Sequence, residues 1–492
     1  MAETARRRIG RLAAPLLLLL LASYTQFHQL TRDLRFLPDE AFFMTFARGA
    51  AVNGDWLLPG PLDKPPLSIY ISAMSMVAVG LRADAGGVLQ LDSHLGEFAG
   101  KLPNALLAIM LTALMMRLAW RLYRWRWAAI FAGLLTATSP YMLALGASAF
   151  TDMSLLICSA AALYFTLTDR WTLAGLALGL AFWSKQQAAL FAVLIVLILL
   201  ARQAGRRDWL RICLALGLVC AGLLIWDGAR PEASIFLQAA VNNSPGAWLA
   251  APALWVGRMG AWIERGLWLL GPPLVTLGLL LGCAFVSLRQ IWAGTTGGRP
   301  PRVERAMLVT IVAFFSLYAL LRFNLYERYL LLMMPPLCLL VAGQLARLPI
   351  AGRLGEALLA VVAASLIASG LWSLNAGQTI GGDRGEQAGI DALAAHLEAK
   401  PVATVIYDPW LGWELSYYLG QWHDKRRAHY PTAEALAAGA LALDEIGNRY
   451  FVAPLDQPHE AWLTALRDAG FGVFVDYERD RFIVYRLTAP QN

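Results

Sequence analysis

The sequence predicts a polytopic α-helical membrane protein that ends in a small α/β extracytoplasmic domain. Three observations carry that prediction. The 492 residues are 58% hydrophobic and only 15% charged, against about 25% charged in soluble domains. Apolar runs of membrane-spanning length recur from the N-terminus to about residue 375. After Gly381 the composition turns polar, and short helix-like and strand-like segments alternate.

The N-terminal MAETARRRIGRLAAPLLLLLLASYTQF has basic residues and then an apolar run without a small-x-small cleavage site. It reads as an uncleaved first helix with a cytoplasmic N-terminus. Further spans are expected at 100–120, 127–148, 152–169, 171–184, 187–202, 209–227, 266–288, 306–322, 328–346 and 353–374. The pair 171–184 and 187–202 is short enough for a tight hairpin, and 66–81 is either juxtamembrane or an extra span, giving eleven to thirteen spans. With eleven, the arginine-rich loops around 117–126, 202–211, 289–305 and 347–353 all fall on the cytoplasmic side, as the positive-inside rule requires. Segments 30–99, 149–151, 228–265, 323–327 and everything after 375 then lie outside. The net charge of +7 reflects those loops. With no basic-aromatic motif, nucleic acid is not an expected partner. The expected domains are therefore a membrane domain, 1–375, with a first external loop at 30–99, and a soluble domain, 384–492.

Within 384–492, helices are expected at 385–399, 410–420, 432–440 and 458–469. Strands are expected at 402–407, 426–430, 449–454, 470–477 and 481–487, the last two as a hairpin across Glu478-Arg479-Asp480. The aromatic group Trp410, Trp413, Tyr417, Tyr418 and Trp422 is either the core of this domain or a sugar-stacking surface. The five cysteines lie in apolar segments without a CxxC pair, and read as small membrane-embedded hydrophobes. The six histidines show no HxxxH or HExxH spacing, so no metal centre is expected from them.

Charge inside or at the edge of apolar spans marks a site, because it costs about 2.5–3.5 kcal/mol to place at the bilayer centre. On the expected external face stand Asp39 and Glu40, Asp63 and Lys64 before two prolines, Glu97 and Lys101, Asp152, Lys185, and the stretch Arg322 to Tyr329 with Arg328. Several separate segments carrying charge at one depth read as a lined cavity. Each has a second reading. Asp39 ends a helix in solvent, Glu40 complements a helix N-terminus, Lys64 snorkels, Asp152 caps its own helix, Lys185 and Arg328-Tyr329 anchor at the interface, and Glu97 pairs with Lys101 at i, i+4.

Read in order, Pro38-Asp39-Glu40, Gly54-Asp55-Trp56-Leu57, Lys64-Pro65-Pro66-Leu67, Lys101-Leu102-Pro103, Thr151-Asp152, Ser184-Lys185 and Arg328-Tyr329-Leu330 with Pro335-Pro336 resemble the GT-C glycosyltransferases of the ArnT and protein O-mannosyltransferase type. The resemblance covers about residues 10–345. It implies a GT-C fold, a polyprenyl-phosphate sugar donor, and a lipid, glycan or protein acceptor at a bacterial inner membrane. Asp39 takes the catalytic position, with Glu40 beside it, and Lys64, Lys185 and Arg328 bind the donor phosphate. Asp63, Asp152, Tyr329, Glu97 and Lys101 line the cavity. No cofactor is required by this reading; a divalent metal near Asp63 is the one addition that some relatives suggest. Two departures stand out: Ala41-Phe42-Phe43 follows the acids where relatives carry an arginine-tyrosine pair, and Lys101 replaces an arginine. A transporter or flippase of lipid-linked sugars, and a non-catalytic subunit of the same fold, are the competing readings.

Overall fold

The computed structural model describes residues 2–243, 248–292, 299–324, 326–347, 352–375, 385–420, 424–443 and 447–490. By contacts the chain divides into two compact units. One holds residues 1–32, 57–71 and 101–382; the other holds 33–56, 72–100 and 383–492. Much of the segment expected as the first external loop thus groups with the C-terminal residues.

The first unit is helical. Five described helices are long and apolar enough to cross a bilayer: Ser93–Tyr123, which begins in the other unit, Arg206–Gly228, Arg302–Leu320, Glu327–Leu345 and Gly352–Leu374. Leu214, Leu218, Leu224 and Ile225 of the Arg206–Gly228 helix are at least 60% exposed. A helix this apolar on its outer face suits lipid, where leucine is at no disadvantage. Trp171–Ser184 and Ala188–Ala201 have 14 residues each, or ~21 Å at ~1.5 Å per residue, and join at Lys185–Gln187 as the expected hairpin. The expected span 127–148 is broken at Ser139-Pro140 into helices Arg126–Thr138 and Pro140–Leu145. Proline lacks the N–H needed to continue the ladder. The last-but-one expected span opens with a 3₁₀ stretch, Glu327–Met333, before the helix Met334–Leu345.

Small residues set the closest helix approach. A Cβ on Gly175 would meet the Ile212 carbonyl oxygen at 2.4 Å, and one on Gly179 would meet Val219 Cβ at 2.6 Å. The spacing Gly175-x-x-x-Gly179 lets two backbones touch where apolar burial gives no net drive in lipid. Trp183 completes the contact by donating its indole N–H to the Val219 carbonyl at 2.7 Å.

The second unit is built on a five-stranded mixed sheet. Its strands follow a small hairpin, β1 (Leu81–Ala83) and β2 (Leu89–Leu91), which the Asp84 carboxylate closes by accepting the N–H groups of Gly86 and Val88. The sheet strands are β3 (Val405–Tyr407), β4 (Arg426–Ala428), β5 (Arg449–Pro454), β6 (Gly472–Arg479) and β7 (Phe482–Thr488), in the order β4-β3-β5-β7-β6. β3 is parallel to β4 and β5, and β7 is antiparallel to β5 and β6. The expected hairpin is present, with its turn at Asp480 in the left-handed region. Phe451, Leu466, Leu463 and Val405 fill the core between the sheet and the helices Ala433–Leu441 and Glu460–Asp468. Trp410 packs edge-on to Phe451 and Trp462 there.

The helix Pro38–Arg48 packs on the helix Gly412–Tyr418 of the same unit. Phe42 meets Trp413 at 4.5 Å between ring centroids, and Phe36 meets Tyr417 at 4.8 Å. The Phe36 N–H donates to the Tyr418 hydroxyl at 2.9 Å, Tyr418 donates to Glu97, and Arg48 donates to the Tyr417 carbonyl. Arg35, only 5% exposed, pairs with Glu97 at 3.1 Å and Asp391 at 3.5 Å. Beneath lies a buried network: Asp408 accepts the Leu411 N–H at 2.6 Å and faces Arg427 at 3.4 Å, and Arg427 donates to Ser416 at 2.8 Å. Burial pushes the Glu414 carboxyl up to about 7; the negative charges of Asp408 and Asp39 add to this, while its own backbone N–H and Arg427 oppose it.

Two outcomes follow for the full chain in detergent. A double-mutant cycle on Phe42→Ala and Trp413→Ala gives a favourable coupling of about 0.5–1.5 kcal/mol in chemical denaturation, the range for a buried aromatic pair. For Glu414 the folded protein holds its proton more tightly than the unfolded chain. Its contribution is therefore present below its ordinary 4.5 and is lost as pH rises toward about 7. Glu414→Gln removes that loss, which is at most about 3 kcal/mol. Thermal midpoints measured at pH 4.5 and pH 8 show it as a smaller decline in the variant than in wild type.

Candidate active site and donor-binding cavity

Within the first unit, four segments converge on one polar corner. Asn104 donates to the carbonyls of Ser148 and Phe150, both at 2.6 Å, fixing the turn that leads to Asp152. Asp152 opens the helix Asp152–Leu167, and Lys185 ends the helix Trp171–Ser184. The Lys185 ammonium donates to Asp152 Oδ1 at 2.7 Å and lies 5.3 Å from the centre of the Tyr329 ring. Lys185 is 3% and Asp152 4% exposed, so neither ion is tolerable without the other. The Asp63-Lys64 corner repeats the arrangement. Lys64 donates to Asp63 Oδ2 at 2.7 Å, Asn242 to the same oxygen at 3.3 Å, and Gln186 to the Asp63 carbonyl at 2.8 Å. The prolines Pro65 and Pro66 fix the backbone just beyond. Upstream, Arg230 holds the approaching loop by donating to the carbonyls of Leu58 at 3.0 Å and Gly60 at 2.7 Å.

Between these pairs lies a cavity of about 300 Å³. Its described walls carry Lys64, Lys185 and Arg322 with the amides of Gln186, Gln187, Asn242, Asn243 and Asn324, and Tyr318 and Tyr329. No carboxylate is among the described lining residues. Such a wall suits an anion ringed by hydroxyl groups: cations meet its charge, and amides both donate and accept.

The remaining site residues are not among the cavity's described lining residues. Arg328 is not among the described lining residues; its guanidinium lies 4.8 Å from the centre of the Phe150 ring and 5.3 Å from that of Tyr326. Asp63 and Asp152 stand behind the wall as partners of its lysines. Lys101 is buried in the Ser93–Tyr123 helix. In the second unit, Asp39 is exposed in the first turn of its helix. Glu40 is 2% exposed and accepts the Leu37 N–H at 3.0 Å, a helix-cap contact that fits its second reading as a charge at a helix N-terminus. Glu97 is 5% exposed, pairs with Arg35 at 3.1 Å and accepts from the Tyr418 hydroxyl. The aromatic group divides between core and helix seam; Trp422 lies outside the described residues. Among the described residues, no three His, Cys, Asp or Glu side chains come together as metal ligands.

Sequence reading passed over Asn242, Asn243, Gln186 and Gln187. Uncharged amides carry no signal of their own, although two adjacent pairs at the ends of apolar runs, Gln186-Gln187 and Asn242-Asn243, are unusual.

Residues 85–226 match the family model described as dolichyl-phosphate-mannose-protein mannosyltransferase. No curated protein matches the chain significantly. Among solved structures, the apo oligosaccharyltransferase of Archaeoglobus fulgidus aligns at TM-score 0.59 and 12% identity, covering 98% of this chain and 75% of that one. Its complex with Zn and sulfate aligns at 0.59 and 12%, covering 95% and 72%. The form tethered to an acceptor peptide containing the NVT sequon aligns at 0.58 and 11%, covering 98% and 74%. At such identities the structural matches speak for the fold alone. The chain is thus a membrane protein of GT-C glycosyltransferase fold, similar over residues 85–226 to the dolichyl-phosphate-mannose-protein mannosyltransferases.

Proposed function

We propose that this protein is an inverting glycosyltransferase that moves a sugar from a polyprenyl-phosphate donor to a lipid, glycan or protein acceptor on the extracytoplasmic side of a bacterial inner membrane. The observation that carries the reading is the cavity whose described walls hold cations and amides without a carboxylate. It supports a phosphate held by Lys64 and Lys185, with hydroxyl-bearing sugar against the amides.

In the proposed step, an acceptor hydroxyl or amine attacks the anomeric carbon. The bond from that carbon to the phosphate oxygen breaks, and its electron pair stays on the phosphate. Asp39 takes the acceptor's proton. The phosphodiester begins with one negative charge and leaves as a phosphate monoester approaching two. Cations at the phosphate therefore bind the transition state more tightly than the ground state, which is what accelerates the reaction. Direct displacement inverts the anomeric centre. The exposed first-turn position of Asp39 agrees with a carboxylate that must meet an incoming acceptor.

Proteoliposomes supplied with a panel of polyprenyl-phosphate sugars test the reading. Wild type transfers from at least one donor, Asp39→Asn loses at least ~100-fold in kcat, and Lys64→Ala raises KM and lowers kcat. An Asp39→Asn variant as active as wild type would remove the assignment of the base, and a folded wild type that consumes no donor would remove the enzyme reading. The proposed orientation is checked by cysteine labelling: an impermeant maleimide added to intact cells reaches a cysteine at Thr432 and not one at Arg124.

A further inference from the structure

The three cations among the cavity's described lining residues are not equivalent. Lys64 and Lys185 each carry a carboxylate 2.7 Å away, Asp63 and Asp152. Each of those pairs is electrically neutral as a unit. Arg322 is exposed and has no carboxylate partner among the described residues. The acid nearest to it on its own loop, Glu327, faces Arg265 at 3.4 Å. Among the described lining residues, Arg322 adds one positive charge without a carboxylate partner to a wall otherwise made of paired dipoles.

The backbone that presents Arg322 is held firmly. Arg258 donates to the carbonyls of Tyr318 at 3.1 Å, Ala319 at 3.2 Å, Leu321 at 2.6 Å and Phe323 at 2.7 Å. The Arg322 N–H donates to the Trp248 carbonyl at 3.0 Å, and the Ala250 N–H to the Leu320 carbonyl at 2.8 Å. The end of the Arg299–Leu320 helix is thus fixed by an arginine that spends its donors on carbonyls. Two residues past that helix end, Arg322 stands among the cavity's lining residues. Arg328, the guanidinium singled out by sequence resemblance, lies against two aromatic rings.

We infer that Arg322, rather than Arg328, supplies the uncompensated positive charge that meets the departing phosphate, with Arg258 as the residue that positions it. The inference rests on the proposed glycosyl transfer. As the anomeric C–O bond breaks and its electron pair passes to the phosphate, the charge there grows from one toward two. The neutral Lys–Asp pairs orient the group, and Arg322 answers the added charge. Arginine suits this place because its fork bonds two phosphate oxygens at once and stays charged at any working pH.

The test is donor kinetics of full-length protein in proteoliposomes, using the donor that wild type turns over best. Arg322→Gln is expected to lower kcat about 100-fold, with a smaller change in donor KM. Arg322→Lys should recover part of that loss. Arg322→Ala should regain activity on addition of methylguanidinium. Arg328→Gln should lose at least tenfold less in kcat than Arg322→Gln, and Arg258→Met should lower kcat without being rescued. A kcat for Arg322→Gln within threefold of wild type, or a greater loss for Arg328→Gln, would overturn the inference. Arg322 is exposed, so its variants should keep the wild-type thermal midpoint; if one does not, methylguanidinium rescue of the folded fraction decides. A wild type that consumes no donor fails the underlying function instead, so the two failures are distinguishable.

Discussion

A charged group inside an apolar helix bundle must find its partner within the protein, and the first unit is arranged around that constraint. Lys185 and Asp152, each under 5% exposed, come from different helices and meet where one helix ends and another begins. Losing either would strand the other, a penalty of about 3–5 kcal/mol. The supports around them therefore have a defined task. Asn104 fixes the turn before Asp152, Pro65 and Pro66 stiffen the chain after Lys64, and Asn242 and Gln186 clasp Asp63. The same pairing decides how much net charge is left at the cavity wall.

The second unit answers a different demand, holding a short helix at its first turn. Where the sequence resemblance leads to the expectation of an arginine-tyrosine pair after the acids, Ala41-Phe42-Phe43 occurs, and Phe42 packs on Trp413. The departure thus has a local physical reason: these positions form an apolar seam with the Gly412–Tyr418 helix. Glu40 faces its own helix terminus and not solvent, which leaves Asp39 as the outward-facing acid of the pair.

Much of this was legible in the sequence, and the exceptions are instructive. Hydropathy located Trp171–Ser184 and Arg449–Pro454 to the residue, because the first is bounded by charge and the second by turn-forming residues. The alternation of short elements after residue 384 correctly signalled a small sheet domain. The break at Ser139-Pro140 was overlooked because the apolar run continues through it, although proline marked the place. The charges were recognisable as a set, but not their partners. Glu97 and Lys101 stand one turn apart, yet Glu97 is joined to Arg35 and Tyr418, 62 and 321 residues away. Sequence resemblance singled out Arg328 and gave Arg322 no role; the ring contacts of the first and the cavity position of the second became visible in the fold.

The seam between Phe42 and Trp413 also bears on the order in which the molecule is made. The residues that bury one face of the Asp39 helix, Trp413 and Tyr417, are some 370 positions downstream, as the Arg48 to Tyr417 hydrogen bond records with its separation of 369. At roughly 5–20 residues per second of synthesis, that is a delay on the order of half a minute. By the end of that interval every expected span has been synthesised, while the helix bearing Asp39 still lacks its packing partner. A nascent chain can thus be inserted before it can be complete, and stop codons anywhere before residue 412 yield products with the Phe42 face uncovered.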